Sequence, residues 1–182
     1  MGRDKASLPV AGRTLLEHVV DRLSPVVDEV LVAGGDQVAS TLRFRAVAEE
    51  VRGGGPLAGM LAGFQAARSP HAWVVACDLP DVEPDLGELL FSSIGQHDAA
   101  VPWVGGRAQG TCAVYRVDLA PRVRIALFRG SASILSFLGA SRVCYIPENA
   151  LLQVDPSLRS FTNLNTPEEY ERWLRARETS PA

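Results

Sequence analysis

Long apolar runs are absent from this chain of 182 residues. No stretch approaches the roughly 20 residues needed to cross a bilayer. The opening Met1-Gly2-Arg3-Asp4-Lys5 leads into no apolar segment of the kind that marks a secretion signal. A cytoplasmic location without a membrane partner is therefore expected. Basic charge is also in short supply, with 18 Lys and Arg against 21 Asp and Glu and a net charge of −3. Such a surface has no global field to gather nucleic acid, so positive charge that meets phosphate must be local. Cysteine is scarce as well: Cys77, Cys112 and Cys144 stand far apart, with no C-x-x-C pair. That spacing suits neither a disulfide framework nor a zinc site. Their apolar neighbours predict buried free thiols. His18, His71 and His97 lack metal-ligand spacing, and no nucleophile–base pairing suggests a hydrolase. No strand is followed by G-x-G-x-x-G, which disfavours a dinucleotide-binding oxidoreductase. Without repeats or low-complexity linkers, residues 1–182 read as one domain, with a frayed tail over 178–182.

What the chain does contain is an alternation of two periodicities. Leu15, Leu16, Val19, Val20 and Leu23 recur at helical spacing over about 14–24. Strands are predicted over 28–33, 44–48 and 72–77. A helix beginning at Pro56 is expected between the second and third of these, with Leu57, Leu61 and Phe64 on one side. Helical spacing returns over 84–94, and further strands are predicted over 99–104, 111–116 and 142–146. Helices near 118–128 and 133–138 fall between the last two. A closing helix is announced by Thr166-Pro167-Glu168-Glu169, where Thr166 can cap and Glu169 can complete a capping box. Strands alternating with helices of 10–15 residues indicate α/β architecture and a mostly parallel sheet.

In such sheets ligands bind outside the carboxyl ends of the strands. Asp78 directly follows Trp73-Val74-Val75-Ala76-Cys77 and can hold Mg²⁺ against nucleotide phosphates. The same residue type also serves as a turn former, and Asp81 and Glu83 lie close by. Gly53-Gly54-Gly55-Pro56-Leu57-Ala58-Gly59 leads into a helix, whose exposed amides and dipole attract anions. Gly59 and Gly63 permit close approach by a ligand or by another backbone. Lys5 can meet phosphate as a compact point charge, although a lysine there can equally be solvated. Arg107 and Gln109 occupy a glycine-flanked loop that offers itself either to an acidic substrate or to solvent.

Four segments then occur in order: Met1-Gly2-Arg3-Asp4-Lys5-Ala6-Ser7-Leu8, Gly55-Pro56-Leu57-Ala58-Gly59, Cys77-Asp78-Leu79-Pro80 and Asn163-Leu164-Asn165-Thr166-Pro167-Glu168. The set resembles the nucleotidyltransferase superfamily, and within it the molybdenum cofactor guanylyltransferases. The first segment matches the end of that family's L-A-G-G-x-S-x-R-M-G-x-D-K signature. The others match its G-P-L-A-G, C-D-x-P and N-x-N-T-P-E blocks. The resemblance implies a Rossmann-like three-layer α/β fold with a mostly parallel central sheet. It also implies Mg²⁺-dependent transfer of GMP from GTP to molybdopterin, giving the guanine dinucleotide cofactor and pyrophosphate. In that reading Lys5 and Asp78 are catalytic, Lys5 at the phosphates and Asp78 on the metal. Gly55 and Gly59 lie along the nucleotide, and Glu50 falls near the carboxylate that reads guanine. Asn163 and Asn165 lie near the pterin, although an ordered approach to the last helix explains both equally well. Other molybdenum-cofactor assembly proteins and apo-molybdoenzymes would be partners.

The chain departs from the family at one point: the L-A-G-G-x-S-x-R portion is lacking. In the family that portion supplies a strand near the middle of the sheet and amides around the phosphates. The expectation is that translation starts upstream and that Met1 is an internal methionine. Without the strand, two sheet edges would carry unpaired N–H and C=O groups. Alternatives remain CMP transfer from CTP to the same pterin, nucleotidyl transfer to a sugar or lipid phosphate, and an inactive nucleotide-binding homologue.

Overall fold

In the computed structural model, residues 5–34, 44–51, 53–131 and 133–178 are described. Gly2, Arg3 and Asp4 of the first motif, Gly35 and the tail beyond residue 178 lie outside them. A hairpin of β1 (Pro9–Val10) and β2 (Arg13–Thr14) comes first, turned by Ala11 and Gly12 at positive φ. A capping box starts α1 (Leu15–Leu23): the Glu17 amide donates to the Thr14 hydroxyl, and the Glu17 carboxylate accepts from the Thr14 amide. This pair satisfies two amides that a helix start otherwise leaves open. Strands β3 (Leu31–Ala33) and β4 (Arg45–Val47) form a parallel pair. Helix α2 (Pro56–Ala66) follows, then β5 (His71–Val75) and α3 (Pro84–Ser93).

The larger sheet is completed by β6 (Ala99–Val104), the short β7 (Arg107–Ala108), β8 (Cys112–Arg116) and β9 (Val143–Ile146). Helices α4 (Ala120–Phe128) and α5 (Ile134–Gly139) separate β8 from β9. Helices α6 (Glu148–Leu151) and α7 (Pro167–Glu178) end the described chain. The strand order is β5-β8-β6, with β9 and β7 also paired to β6. Strands β5, β6 and β9 run in one direction, and β8 runs against its neighbours β5 and β6. Three of the four longer strands are thus parallel in direction. The reversed strand has no sequence signature, because a strand buried on both faces reads the same either way.

Alternation along β6 and β8 shows why the fold has three layers. Ala99, Val101, Ala113 and Tyr115 face one core with Leu57, Leu61 and Phe64 of α2 and with Val123 and Leu127 of α4. Ala100, Cys112 and Val114 face the other, with Val19 of α1 and Leu86 and Leu90 of α3. A third, smaller cluster joins the amino-terminal hairpin to α7 through Leu8, Val10, Leu15, Leu164 and Trp173. The Tyr115 hydroxyl, buried, donates to the Gly110 carbonyl at 2.7 Å, so its burial leaves no unpaired donor. Cys112 is buried, and burial pushes its thiol up to about 12. Cys77 and Cys144 are only half-buried, and none of the three forms a disulfide. The hairpin, β7 and α6 were not expected from the sequence, since elements of two to four residues contain no full repeat of their period.

Asp98 ties the start of β6 to its neighbours. Its carboxylate accepts from the Arg142 amide at 3.0 Å and from the Arg122 guanidinium at 2.9 Å. Burial alone would raise its pKa, but the Arg142 amide and both guanidinium groups hold it below the usual carboxylate range. A depressed folded-state pKa means that the stabilisation is present at neutral pH and is lost as pH falls through that value. Asp98→Asn is expected to destabilise the chain by about 1–3 kcal/mol in urea titrations at pH 7, with a smaller difference below pH ~3.5.

Candidate active site

The carboxyl end of β5 runs into Ala76, Cys77 and Asp78, and here distant parts of the chain meet. Lys5 Nζ lies 2.9 Å from Asp78 Oδ2 and 3.0 Å from Asn165 Oδ1. The Leu164 amide donates to the Asp78 carbonyl at 2.9 Å. Side chains of Lys5 and Asp78 are 28% and 20% exposed, so a soluble ligand can reach both. Three of the four sequence motifs therefore converge on one lysine ammonium.

Each residue from Asp78 to Asp81 is fixed from outside its own turn or buried. Leu79 is buried, and its amide donates to the Ala76 carbonyl at 3.2 Å. A ring nitrogen of His18, on α1, is 2.9 Å from the Pro80 carbonyl. The His18 ring also meets Trp173 edge to face at 5.5 Å. Trp173 Nε1 donates to Asp81 Oδ2 at 2.8 Å, and Arg177 pairs with Asp81 Oδ1 at 3.1 Å. Glu83 is paired with Arg22 at 3.1 Å. Asp81 and Glu83 thus have partners on α7 and α1, whereas the partner of Asp78 is the partly exposed ammonium of Lys5.

Asn165 and Thr166 donate their amides to the Glu169 carboxylate at 2.7 and 3.0 Å, and Glu169 donates its amide to Thr166 Oγ1 at 3.2 Å. The expected capping box is present, and it orients the Asn165 side chain towards Lys5. Asn163 is exposed and stands on the other side of buried Leu164. At the glycine motif, Gly55 begins α2 with φ 62° and no side chain caps that end. A Cβ at Gly54 would come within 2.9 Å of Ala58 Cβ and 3.0 Å of Leu127 Cδ2, so the turn needs glycine there too.

Glu50 meets the last turn of this helix and not its glycine start. It accepts from Gln65 at 3.0 Å and from Arg124 at 3.0 and 3.1 Å, and these contacts hold its carboxyl below the usual range. Glu49 is the carboxylate beside Gly59: its Oε1 lies 3.4 Å from where a Cβ on Gly59 would stand. Adjacent residues in extended chain point to opposite sides, so a shift of one position in an uncertain loop length exchanges the two. Arg107 forms β7 with Ala108, pairing with Trp103 and Val104, while the Gln109 amide donates to the Pro102 carbonyl at 2.9 Å.

Strand-end carboxylate, lysine and glycine-led helix on this three-layer sheet define a nucleotidyltransferase. Residues 1–143 match the model of the MobA-like NTP transferase domain, and the chain belongs to that family. A molybdenum cofactor guanylyltransferase of Cereibacter sphaeroides is 35% identical, over 94% of this chain and 86% of that protein. Another, from Syntrophotalea carbinolica, is 31% identical over 96% and 85%. The crystal structure of molybdopterin-guanine dinucleotide biosynthesis protein A from Archaeoglobus fulgidus matches with a TM-score of 0.85 at 25% identity, covering 98% of this chain and 93% of that one.

His18 was not singled out as part of the site by its spacing, yet it holds the loop that carries Asp78. Burial, reinforced by Arg177 and Arg22, lowers its pKa from the ordinary 6.5. The unfolded chain then binds the proton more readily, so the native state loses stability as pH falls through 6.5 towards the lowered folded value. His18→Gln is expected to flatten the dependence of Tm on pH between about pH 7 and pH 5, as differential scanning calorimetry would show.

Proposed function

We propose that this protein transfers GMP from GTP to molybdopterin. The terminal phosphate oxygen of the pterin attacks the α-phosphorus of GTP, and the bond to the β-phosphate oxygen breaks as pyrophosphate leaves. One observation carries the reading: Lys5, Asp78 and Asn165 meet although 73 and 160 positions separate them. No side-chain nucleophile is required, because a phosphate monoester with a second pKa near 6 is already anionic at neutral pH.

Lys5 is the positive charge within reach of the phosphates, and its ammonium offsets charge that develops on the leaving pyrophosphate. Asn165, ordered by its neighbours on the α7 cap, orients the pterin beside Lys5, and Asn163 borders the same approach. Gly55 and Gly59 keep the start of α2 open, so the nucleotide can lie against backbone amides. Glu49 is assigned the N1–H and N2 donors of guanine, a role the sequence alone suggests for Glu50. The proposal carries a cytoplasmic location with it, since GTP is a cytoplasmic metabolite. Apo-molybdoenzymes and cofactor-assembly proteins are the partners that would take up the product.

Mg²⁺ fits the donors present. Among the described residues no group of three or more His, Cys, Asp and Glu could cage a metal ion. Mg²⁺ is ordinarily held by one or two carboxylates together with substrate phosphates, and Asp78 supplies such a carboxylate. When bound there with the nucleotide, Mg²⁺ supplies neutralisation of phosphate charge.

The test is pyrophosphate release with molybdopterin and each nucleoside triphosphate, with and without Mg²⁺. GTP is expected to support turnover in preference to CTP. Asp78→Ala and Lys5→Ala are each expected to lower turnover by roughly 10²–10³-fold with circular dichroism unchanged. Full activity of Asp78→Ala would remove the metal site from this loop. Glu49→Gln is expected to raise KM for GTP roughly tenfold or more, the loss of one hydrogen bond to a charged group, while Glu50→Gln leaves it unchanged.

A further inference from the structure

Two aromatic side chains stand exposed together at the end of the sheet where Asp78 lies. Trp103 and Tyr145 are 42% and 45% exposed. Their ring centroids are 5.2 Å apart and their planes meet at 78°, edge to face. Trp103 is on β6 and Tyr145 on β9, and both strands run in the direction of β5. Trp73, Val114 and Ala100 form one row across β5, β8 and β6. Trp103, three positions further along β6, is therefore level with Ala76 and two strand spacings, about 10 Å, to its side. Asp78 follows two residues beyond Ala76.

Alternation decides which face carries the pair. Trp103 follows Ala99 and Val101, and Tyr145 is opposite Val101, so both rings share the face covered by α2 and α4. Val101 is fully buried under that cover, whereas Trp103 lies beyond it. Opposite Trp103 stands Ala108, whose single methyl is too small to cover an indole. The turn between β6 and β7 is tight, with Gly105 and Gly106 at φ 56° and 73°. The Gly105 amide donates to the Glu148 carboxylate at 2.6 Å, which braces that turn against α6. Paired strands and a braced hairpin thus present the rings, not a free loop. Arg107 is opposite Val104 and so belongs to the other face. The surface is aromatic rather than cationic, which suits a flat ring and not a phosphate.

We propose that Trp103 and Tyr145 form the platform on which the pterin ring of the acceptor stacks, an assignment that rests on the guanylyltransferase reading above. In molybdopterin a pyran ring and a methylene separate the pterin bicycle from the phosphate. With the phosphate at Lys5, the bicycle must therefore lie to one side of Asp78. Glu49 and Gly59, assigned to guanine, stand beside Ala33 of β3, and α2 packs against both β3 and β5. The nucleotide base thus takes the β3 side, and the side of β6 and β9 is left for the acceptor. A planar heteroaromatic ring stacks on an aromatic face whatever its hydrogen-bonding pattern. Covering the exposed part of both rings also removes apolar surface from water. Rings at 78° make a corner, which limits the orientations a flat ligand can take. Asn165 then meets the end of the acceptor that carries the phosphate, and the aromatic pair meets the other.

The experiment titrates the full chain by calorimetry with three probes: molybdopterin without oxygen, the simpler 6-hydroxymethylpterin phosphate, and glycerol phosphate, which keeps the phosphate and lacks the ring. Trp103→Ala is expected to weaken both pterins roughly tenfold or more and to leave glycerol phosphate unchanged. Trp103→Phe, which keeps an aromatic face, is expected to recover most of that loss with an unaltered Tm. Tyr145→Ala is expected to weaken the pterins by a smaller factor. Ile125→Ala, which removes an exposed apolar side chain from α4, is expected to change nothing. In turnover, KM for molybdopterin rises with Trp103→Ala while KM for GTP stays the same. Equal affinity of Trp103→Ala and the unmodified chain for the pterins would overturn the platform. A loss shared by glycerol phosphate would overturn it as well, since the ring would then not be what Trp103 holds. Pterin binding that depends on Trp103 but no GTP turnover would uphold the platform and refute the guanylyltransferase reading. GTP turnover with a molybdopterin KM indifferent to Trp103→Ala would do the reverse.

Discussion

The turn from Asp78 to Asp81 is the constraint on which the rest of the molecule depends. Its carbonyls and carboxylates are met from α1 through His18, from the amino-terminal segment through Lys5, and from the carboxyl-terminal segment through Leu164 and Trp173. None of these contacts is local in sequence. A buried carbonyl without a partner costs about 1–3 kcal/mol, so the segments that arrive here are fixed by the groups they satisfy. Asp78 is then the one side chain of the turn whose main partner is a partly exposed lysine. A lysine ammonium on a flexible stem can exchange one anionic partner for another.

Above this turn the sheet acts as a rigid floor. Residues of β6 and β8 alternate between two cores, and both cores contain bulky side chains from helices. Such double coverage allows the carboxyl ends of β5 and β6 to be held at fixed height while loops beyond them vary. The pair of β3 and β4 is held differently, through α2 and through the Arg45 contacts with Glu29 and the Ala66 carbonyl. That half carries Glu49 and the glycine turn. The glycine-turn side and the lysine–aspartate side thus rest on separate ladders bridged by α2.

Much of this was legible in the sequence because it rests on periodicity or on unusual residues. The long helices, the longer strands, the Thr166–Glu169 cap and the candidate roles of Lys5 and Asp78 all have such signals. The order of motifs identified the family before any distance was known. Other features had no signal to read. The reversed direction of β8 leaves no mark on an apolar run, and two-residue strands span one period without repeating it. Glu49 and Glu50 differ by one step of extended chain, which a sequence with an ambiguous loop cannot resolve. His18 looks like any helical histidine until Pro80 and Trp173 are placed around it, 62 residues away in the case of the Pro80 carbonyl.

The meeting of Lys5 with Asn165 also bears on how the protein is made. At about 5–20 residues per second, a ribosome finishes the Lys5 and Asp78 segments several seconds before Asn165 emerges. A nascent chain can bury α2 and the first sheet pairings in that interval, but it has no α7 cap and no Trp173 to hold the loop. Polypeptides cut short by even the last two dozen residues or so therefore carry Lys5 and Asp78 without the clamp that orders them. The α7 segment in this way reports to the Asp78 loop that translation has run far enough.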